Sequence, residues 1–364
     1  MPSHGSSLPI RSFFEDLMYG RTRSPFWEAV LSFLSVVYGV VIRVRDLLYW
    51  LRVLPRKELP CPVISIGNVT LGGTGKTPAV VHVAGLLQKR QRRPAVVSRG
   101  YGRENEAEVV VVSDGLSILV DAKQGGDEPV LIGMRLPGVP VVVGGKRYQA
   151  GREALRRFQP DAVILDDGFQ HVQLKRTRDI VLIDAVNPFG NGKLFPAGIL
   201  REPISSLKRA QAVLITNADK IGDEGPLRDA IRRATKAKIF TSRQVPVDLI
   251  ECCSGETKQL SVLRGTRVLA FSGIARPAAF NALLRTLGAV VAGEHSYPDH
   301  YNFGKSDLAD VFREAADRNV SMIITTEKDV VRLKKLKPDG IWVLRIELIV
   351  DEQEAWEGFL LQGL

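Results

Sequence analysis

A glycine-rich segment between two apolar runs constrains this chain more than any other feature. Residues 67–77 read GNVTLGGTGKT; the apolar residues 62–66 precede them, and residues 79–87 follow with apolar positions at helical spacing. A strand, a glycine loop and a helix in that order form a phosphate-binding loop, in which glycines let backbone N–H groups turn toward phosphate oxygens. The positive N-terminal end of the helix adds to this attraction. The segment therefore predicts a nucleotide-binding α/β fold.

The residue types in this loop each have a chemical use. Lys76 supplies a positive charge for the β- and γ-phosphates, and the Thr77 hydroxyl is suited to a Mg²⁺ ligand. The usual pattern G-x-x-x-x-G-K-[ST] is met except at its first position, which is Thr70 here. The alternative is a glycine-rich turn that binds nothing, but the strand and helix expected on either side favour ATP binding. The predicted ATP-binding residues are Thr70, Leu71, Gly72, Gly73, Thr74, Gly75, Lys76 and Thr77.

A second motif is typical of the metal site in such proteins. Four apolar residues, 162–165, lead into Asp166 and Asp167. A buried strand that ends in a carboxylate can deliver it to the Mg²⁺ beside a phosphate loop. Because neighbouring strand residues point to opposite faces, one of the pair reaches the metal unless the chain bends there. The alternative is a solvated Asp-Asp-Gly turn.

Composition bounds the classes of function. Lysine and arginine outnumber aspartate and glutamate by 50 to 40, and the formal net charge of +10 favours an anionic partner. The basic residues are dispersed and aromatic residues make up 7% of the chain, so a nucleic-acid partner is not expected. Three cysteines without metal-ligand spacing predict a reducing compartment and no structural disulfide.

The N-terminal fifty residues differ from the rest of the chain. Residues 29–42 form an apolar run of about 14 residues, shorter than the ~20 that span a bilayer. We expect a helix in or on one leaflet of a membrane; the alternatives are a helix packed on the protein's own core and, less favoured, a single-pass anchor. Aromatic and arginine residues suited to a membrane interface flank or interrupt the run: Arg21, Arg23, Trp27, Tyr38, Arg43, Arg45, Tyr49 and Trp50.

Short runs rich in valine, isoleucine and leucine alternate with helical runs along the rest of the chain. Buried parallel strands have this composition. The alternation predicts a doubly wound, mostly parallel α/β sheet of the P-loop NTPase type. The pattern restarts near residue 245, which predicts a second, smaller α/β domain. The expected division is a membrane-associated helical segment at 1–52, a P-loop domain at 53–245 and a C-terminal domain at 246–364.

Two segments carry candidate proton-transfer groups. Asp127 lies in a loop with two glycines and a proline, residues 125–129, and could accept a proton from a hydroxyl or hold a cationic partner. His300 lies beside a carboxylate in residues 299–303 and could act as a base or orient one. Taken singly, the first segment is also typical of an ordinary turn, and His300 is also typical of a surface or core histidine without a catalytic role.

Two further segments carry arginines in loops rich in turn residues. Arg201 could hold a phosphate and Glu202 could lie near Mg²⁺. Arg99 and Tyr101 follow a predicted strand and could contact phosphate or sugar. A plain surface turn is the alternative for both segments.

Taken together, these segments resemble one known family. The loop at 67–78 closely resembles the phosphate loop of the tetraacyldisaccharide 4'-kinases, the lipid A 4'-kinases. Further strings match the family in the same order over nearly the whole chain, and several independent strings are more specific than any one. These strings are 98–102 (SRGYG), 126–129 (GDEP), 166–171 (DDGFQH), 196–203 (PAGILREP), 298–303 (PDHYNF) and 326–329 (TEKD).

The resemblance implies a lipid kinase of lipid A biosynthesis. Such an enzyme transfers the γ-phosphate of ATP to the 4'-hydroxyl of a tetraacylated glucosamine disaccharide 1-phosphate, giving lipid IVA, with Mg²⁺ as cofactor. It also implies an N-terminal membrane helix, a strand hinge between two domains, and a location at the cytoplasmic face of the bacterial inner membrane. The expected partners are the lipid disaccharide and an anionic membrane surface, without nucleic acid or an obligate protein partner.

By position, the resemblance also assigns roles to residues. Asp127 matches the family's base-assisting aspartate and His300 its histidine partner; Lys76 and Arg201 complete the expected catalytic set. The expected metal-site residues are Thr77, Asp166, Asp167 and Glu202, and the expected substrate-binding residues are Asn68, Arg99 and Tyr101.

One departure from the family pattern is visible, at Gly304, where a hydroxyl residue is common. We expect it to alter only a helix start, with Ser306 as the cap.

Two other classes share parts of this pattern. P-loop ATPases of the membrane-positioning or metal-insertion type carry an extra lysine at the position held here by Leu71, which argues against that class. A nucleic-acid-stimulated ATPase would fit the basic charge, but the dispersed lysines and arginines and the apolar N-terminus do not favour it.

Overall fold

Within the residues that the structure describes, thirteen strands form the sheet that organises the protein. The structure is a computed structural model that describes residues 13–14, 16–333, 336 and 338–364. The strands are β1 (Val63–Asn68), β2 (Pro94–Ser98), β3 (Val110–Ser113), β4 (Val141–Val143), β5 (Ala162–Asp166), β6 (Arg178–Asp184), β7 (Ala212–Thr216), β8 (Lys238–Glu251), β9 (Thr257–Gln259), β10 (Arg267–Ser272), β11 (Val290–Ser296), β12 (Met322–Thr326) and β13 (Ile341–Val350). Their order across the sheet is β11-β10-β12-β13-β8-β7-β6-β1-β5-β2-β4-β3, and β9 pairs with β8.

Helices cover both faces of this sheet. They are α1 (Pro25–Trp50), α2 (Lys76–Lys89), α3 (Ala122–Gly125), α4 (Asp127–Arg135), α5 (Arg147–Phe158), α6 (Gly225–Ala234), α7 (Pro277–Thr286), α8 (Lys305–Asp317), α9 (Glu327–Leu333) and α10 (Gln353–Leu361). Side chains of β1 alternate between two cores: Ile64 packs with Val80 of α2, and Val63 packs with Ala150 of α5. This two-sided burial explains why the central strands are almost uniformly apolar.

The C-terminal helix α10 completes the core behind α2. The fully buried Trp356 donates a hydrogen bond from Nε1 to His82 Nε2 at 3.2 Å. Its ring lies 5.0 Å from that of Phe240 in an edge-on arrangement. Burial lowers the pKa of His82, so this histidine is neutral and can accept the hydrogen bond from the indole.

The predicted doubly wound, mostly parallel sheet is confirmed. The apolar runs at 62–66 and 162–165 form β1 and β5, with ends shifted by no more than two residues. Three strand pairs are antiparallel, namely β3 with β4, β8 with β9 and β8 with β13. Strands β8, β9 and β11 were not predicted from the sequence.

Strand β8 joins the two halves of the sheet without a break. Residues 238–241 pair in parallel with β7, and residues 242–251 pair antiparallel with β13. The expected domain boundary at 245–246 falls inside this strand, so the division into two domains stays a prediction.

Helix α1 extends well beyond the apolar run of about 14 residues, and the expected N-terminal apolar helix is present. Near its end, Arg45 contacts Glu202 at 2.6 Å. At 26 residues, the helix is roughly 39 Å long. Within the described residues it is the one helix that is long and apolar enough to cross a membrane, by length and composition, and 22% of its most apolar window is buried.

The start of α8 differs from the expectation that Ser306 would be its cap residue. The helix begins at Lys305, with Gly304 as its cap residue, so Ser306 is not the cap. Instead, the Asp307 carboxylate accepts a hydrogen bond from the Gly304 N–H at 2.7 Å. The Asp307 side chain thus supplies one half of a capping box, the bond to the N–H of the cap residue, and Gly304 has no side chain to supply the other half.

Candidate active site

The glycine loop lies between β1 and α2, where backbone N–H groups face outward. Gly72 and Gly75 have φ values of 103° and 83°, a left-handed region that favours glycine. Helix α2 then begins at Lys76, and the first N–H groups of a helix have no partner within it. Asn68 Nδ2 donates to Thr74 Oγ at 3.0 Å, and the Thr216 hydroxyl donates to the Thr74 carbonyl at 3.1 Å. These bonds hold the loop in place.

The acidic pair lies beside this loop, because β5 is the parallel neighbour of β1 and Asp166 pairs in register with Ile66. Asp166 is buried; its Oδ2 accepts from Ser98 Oγ at 2.8 Å, and its Oδ1 has no hydrogen-bond partner among the described residues. Burial raises the pKa of Asp166 to about 7, and the charge of Glu128 adds to the shift. A buried carboxylate with a free oxygen fits a divalent cation.

Asp167, the second carboxylate of the pair, lies at a bend that follows β5. Its φ of 50° lies in the left-handed region, so the chain bends at this residue. Burial raises the pKa of Asp167. The charges of Lys76 and Arg201 have a larger effect in the opposite direction, so the pKa lies below its usual value. The bend thus brings the second carboxylate of the pair close to the lysine of the phosphate loop.

Arg201 connects Asp167 to the phosphate loop. Its Nη1 lies 2.7 Å and 3.0 Å from the two Asp167 oxygens and 3.2 Å from Asn68 Oδ1. The backbone joins as well: the Arg201 N–H donates to the Val69 carbonyl at 2.7 Å, and the Leu71 N–H donates to the Ile199 carbonyl at 2.7 Å. Arg201 therefore contacts both the phosphate-loop segment and the acidic pair, and its catalytic role stays a prediction.

Glu202 has different partners from the acidic pair. Its fully buried carboxylate accepts from Arg45 of α1 and from Arg209. Two guanidinium groups neutralise it, and no described contact joins it to Asp166 or Asp167. A metal-site role for Glu202 has no contact in its favour here and stays a prediction.

Asp127 and His300 come together across the two halves of the sheet. Asp127 is the first residue of α4, and its Oδ2 lies 2.9 Å from His300 Nδ1. Arg332 of α9 donates to the same Oδ2 from Nε at 3.0 Å and also from Nη2. Burial raises the pKa of Asp127, but hydrogen bonds from His300 and Arg332 outweigh it and leave the pKa below its usual value.

The pKa of His300 is shifted upward, in the opposite direction to that of Asp127. Its hydrogen bond to Asp127 raises the pKa above 6.5, although burial opposes this. The Nη2 of Arg332 also lies 2.9 Å from His300 Nδ1. Nδ1 donates to Asp127 only when it carries a proton, and accepts from Arg332 only when it does not. The three side chains therefore have two hydrogen-bond arrangements, one with a proton on His300 Nδ1 and one without it.

The comparisons with known proteins agree with this geometry. The family model described as tetraacyldisaccharide-1-P 4'-kinase matches residues 27–364. The chain belongs to this kinase family. A tetraacyldisaccharide 4'-kinase of Syntrophus aciditrophicus is 41% identical over 363 residues, 97% of each chain, and one of Anaeromyxobacter dehalogenans is 46% identical over 307 residues, 84% of this chain and 81% of that one.

A solved structure is also similar to this kinase. It is the crystal structure of LpxK from Aquifex aeolicus in complex with ATP, with 31% identity and a TM-score of 0.79. The match covers 92% of this chain and 99% of that one.

Two predicted substrate-binding residues of the kinase lie nearer the surface. Tyr101 is 81% exposed, and Arg99 forms an ion pair with Glu106 at 3.1 Å. Their loop packs against the start of α4, since a Cβ added at Gly126 would lie 3.1 Å from Gly100 Cα. The backbone of the loop that carries Arg99 and Tyr101 thus approaches the residue before Asp127.

Sequence reasoning missed two arginines of the kinase site. Arg332 interrupts the otherwise apolar residues 330–333, and a lone arginine in a buried run is a signal that could have found it. Arg147 begins α5 and is buried, and its pKa is lowered by burial despite the nearby charges of Asp167 and Asp166. No motif marks Arg147 in the sequence.

Proposed function

We propose that this kinase transfers the γ-phosphate of ATP to the 4'-hydroxyl of a tetraacylated glucosamine disaccharide 1-phosphate, giving lipid IVA. The observation that supports the proposal is that the segment carrying Asp127 lies near the acidic pair beside the phosphate loop. Glu128, which follows Asp127, is near enough to Asp166 for its charge to raise the pKa of that carboxyl. A hydroxyl held against Asp127 and His300 would face the end of a triphosphate bound at Lys76.

The reaction balances with these groups. The 4'-oxygen forms a bond to the γ-phosphorus while the bond from that phosphorus to the oxygen of the leaving ADP breaks. The hydroxyl proton passes to the pair formed by Asp127 and His300. A positioned base contributes roughly 10²–10⁴-fold to such a step. Lys76 draws off negative charge on the phosphates, and Arg201 keeps Asp167 in place beside them.

A divalent cation fits the acidic pair. Asp166 has a buried oxygen without a hydrogen bond in the described residues, and Thr77 is the second residue of α2, next to Lys76 of the phosphate loop. Asp166, Asp167 and Thr77 would hold Mg²⁺. The ion would neutralise charge on the triphosphate.

The outer face of α1 supports a place at the membrane. Its exposed side chains are almost all apolar: Phe33, Leu34, Val36, Val37, Val40, Val41, Val44 and Leu47. Such a face is costly in water and favourable in lipid. We place the kinase at the cytoplasmic face of the bacterial inner membrane, where its basic net charge would meet anionic lipids and the 1-phosphate of the substrate.

A phosphate-acceptor assay tests the proposal. Radiolabelled ATP is incubated with the protein and detergent-dispersed lipid disaccharide, with DNA, or with neither. Label in the lipid fraction is the expected result. ATP hydrolysis without label in the lipid, or hydrolysis stimulated by DNA, would contradict it and favour one of the two ATPase classes.

A further inference from the structure

Helix α1 has a second face, opposite the exposed apolar one. Leu31, Ser35, Gly39 and Ile42 are buried along it, spaced by three or four residues, so they form one stripe along the helix. A purely lipid-anchored helix would have no need of such a stripe. What the stripe contacts therefore bears on what the helix does besides holding the protein at a membrane.

The stripe packs on the segment that carries Arg201. This segment, residues 194–202, is called the bridge loop here. Ser35 Oγ donates to the Leu194 carbonyl at 2.9 Å, and the Tyr38 hydroxyl donates to the Arg201 carbonyl at 2.8 Å. Gly39 allows the close approach, because a Cβ added there would lie 2.9 Å from Leu194 Cδ1.

An ion cluster fixes the end of the bridge loop. Glu202 is fully buried between Arg45, at 2.6 Å, and Arg209. Asp46 pairs with both arginines, at 2.7 Å from Arg45 and 3.4 Å from Arg209. Removing one partner of a buried charge leaves the other uncompensated, so these residues hold one another in a single arrangement.

The opposite side of the bridge loop contacts the catalytic groups. Ile199 and Arg201 form backbone hydrogen bonds with Leu71 and Val69 of the phosphate loop. The Arg201 guanidinium contacts Asp167. One short segment thus has α1 on one side and both the phosphate loop and the acidic pair on the other.

We propose that α1 is a positioning element of the active site as well as a membrane anchor, an inference that rests on the proposed function. Tyr38 and Arg45 are positioning residues: they hold the backbone of Arg201 and the side chain of Glu202, and thereby the guanidinium against Asp167. Turnover depends on this contact even when the substrate is dispersed in detergent and no membrane is present.

Two substitutions test this dependence. Tyr38→Phe removes one hydroxyl and keeps the ring, which lies 6.0 Å from that of Phe195, so the fold is kept. Arg45→Gln removes the charge next to Glu202, and Arg45→Lys restores a charge without the guanidinium shape. Lipid phosphorylation is measured in detergent micelles as kcat and KM, and vesicle binding by co-sedimentation with phosphatidylethanolamine–phosphatidylglycerol vesicles.

We expect kcat to fall about tenfold or more for Arg45→Gln and several-fold for Tyr38→Phe, because small displacements of catalytic groups are costly. Arg45→Lys should recover part of the loss. KM for the lipid and vesicle binding should stay unchanged, since the outer face of α1 is intact. Arg313→Gln, an exposed arginine of α8 paired with Asp310 at 3.0 Å, is the matched control and should leave kcat unchanged.

Two results would overturn the inference. One is an unchanged kcat for both Tyr38→Phe and Arg45→Gln; the other is a loss of vesicle binding that accounts for the whole loss of activity. Failure of the proposed function is a separate outcome, because the wild-type protein would then leave the lipid unlabelled.

Discussion

The phosphate loop and the cluster of Asp127, His300 and Arg332 are built in different ways. The loop is one continuous segment whose backbone N–H groups and helix end form the site, with Gly72 and Gly75 in conformations that glycine adopts freely. The cluster is made of three side chains from three distant segments, and its short contacts depend on how α4 and α9 pack. The first region is local in the sequence, and the second exists only in the folded chain.

Because the two regions are built differently, nucleotide binding and turnover should depend on different residues. Nucleotide binding needs residues of the first half of the sheet, whereas the cluster needs Asp127 from the first half and His300 and Arg332 from beyond β8. Damage to the cluster should therefore reduce turnover and spare ATP affinity. Damage to the loop should remove both.

Loss of the loop charge should have the largest effect. With Lys76→Ala we expect lipid labelling to fall below detection, because no other side chain of the loop supplies a positive charge to the γ-phosphate. The fold should persist, since Lys76 is partly exposed at the start of α2. Circular dichroism and the thermal midpoint check the fold, and near-normal labelling would contradict the loop assignment.

Asp127→Asn should come next. We expect kcat to fall roughly 10²–10⁴-fold, because the amide cannot take the hydroxyl proton. KM for ATP should change little. Asp310→Asn, an exposed aspartate of α8, serves as the control. An unchanged kcat would remove Asp127 from proton transfer, and an equal loss of ATP affinity would break the separation between loop and cluster.

Arg332→Gln should affect both turnover and stability. Its guanidinium is almost fully buried against Asp127, so the carboxylate would be left without its cationic partner. We expect the free energy of unfolding to fall by about 1–3 kcal/mol and kcat to fall less than in Asp127→Asn. Denaturant unfolding and steady-state kinetics measure the two effects. If stability is lost and kcat is kept, Arg332 is a purely structural residue.

The smallest expected effect is the pH dependence of the contribution of His300 to the free energy of unfolding. The pKa of His300 is raised in the folded state, so the contribution of this residue to stability is present below its usual pKa of 6.5 and is lost as the pH rises through the folded value. The pKa of Asp127 is lowered, so its contribution is present above its usual 3.8 and is lost as the pH falls through the folded value.

The stability difference between the wild type and His300→Ala should thus be largest near pH 5–6 and shrink toward pH 8. Because His300 is more than half exposed, this difference should stay below about 1 kcal/mol. Urea unfolding at several pH values measures it. A difference that grows with pH would reverse the assigned direction of the His300 shift.

Features that depend on neighbouring residues could be predicted from the sequence. The phosphate loop and the apolar strands were found because glycine conformations, helix ends and two-sided burial leave local patterns. Strand β8 was missed because its pattern mixes polar and apolar residues, and its bulge between Pro246 and Asp248 interrupts the alternation.

Features that depend on the folded chain left weaker signals. The contact of Arg45, near the end of α1, with Glu202 could not be predicted because the two residues are far apart in the sequence. Arg332 was missed for the same reason, since its partner Asp127 lies in the other half of the sheet. The pairing of Asp127 with His300 was expected from the family resemblance, because no local pattern links residues so far apart.

The packing of α10 behind α2 has a consequence for biosynthesis. A growing polypeptide makes the helix that begins at Lys76 early, but makes Trp356, which covers its inner face, only after both halves of the sheet. During that interval the apolar side of α2 lacks this cover and is open to unwanted association. We expect stalled or prematurely terminated chains of this kinase to depend on ribosome-associated chaperones, and to bind nucleotide poorly until the last helix has been added.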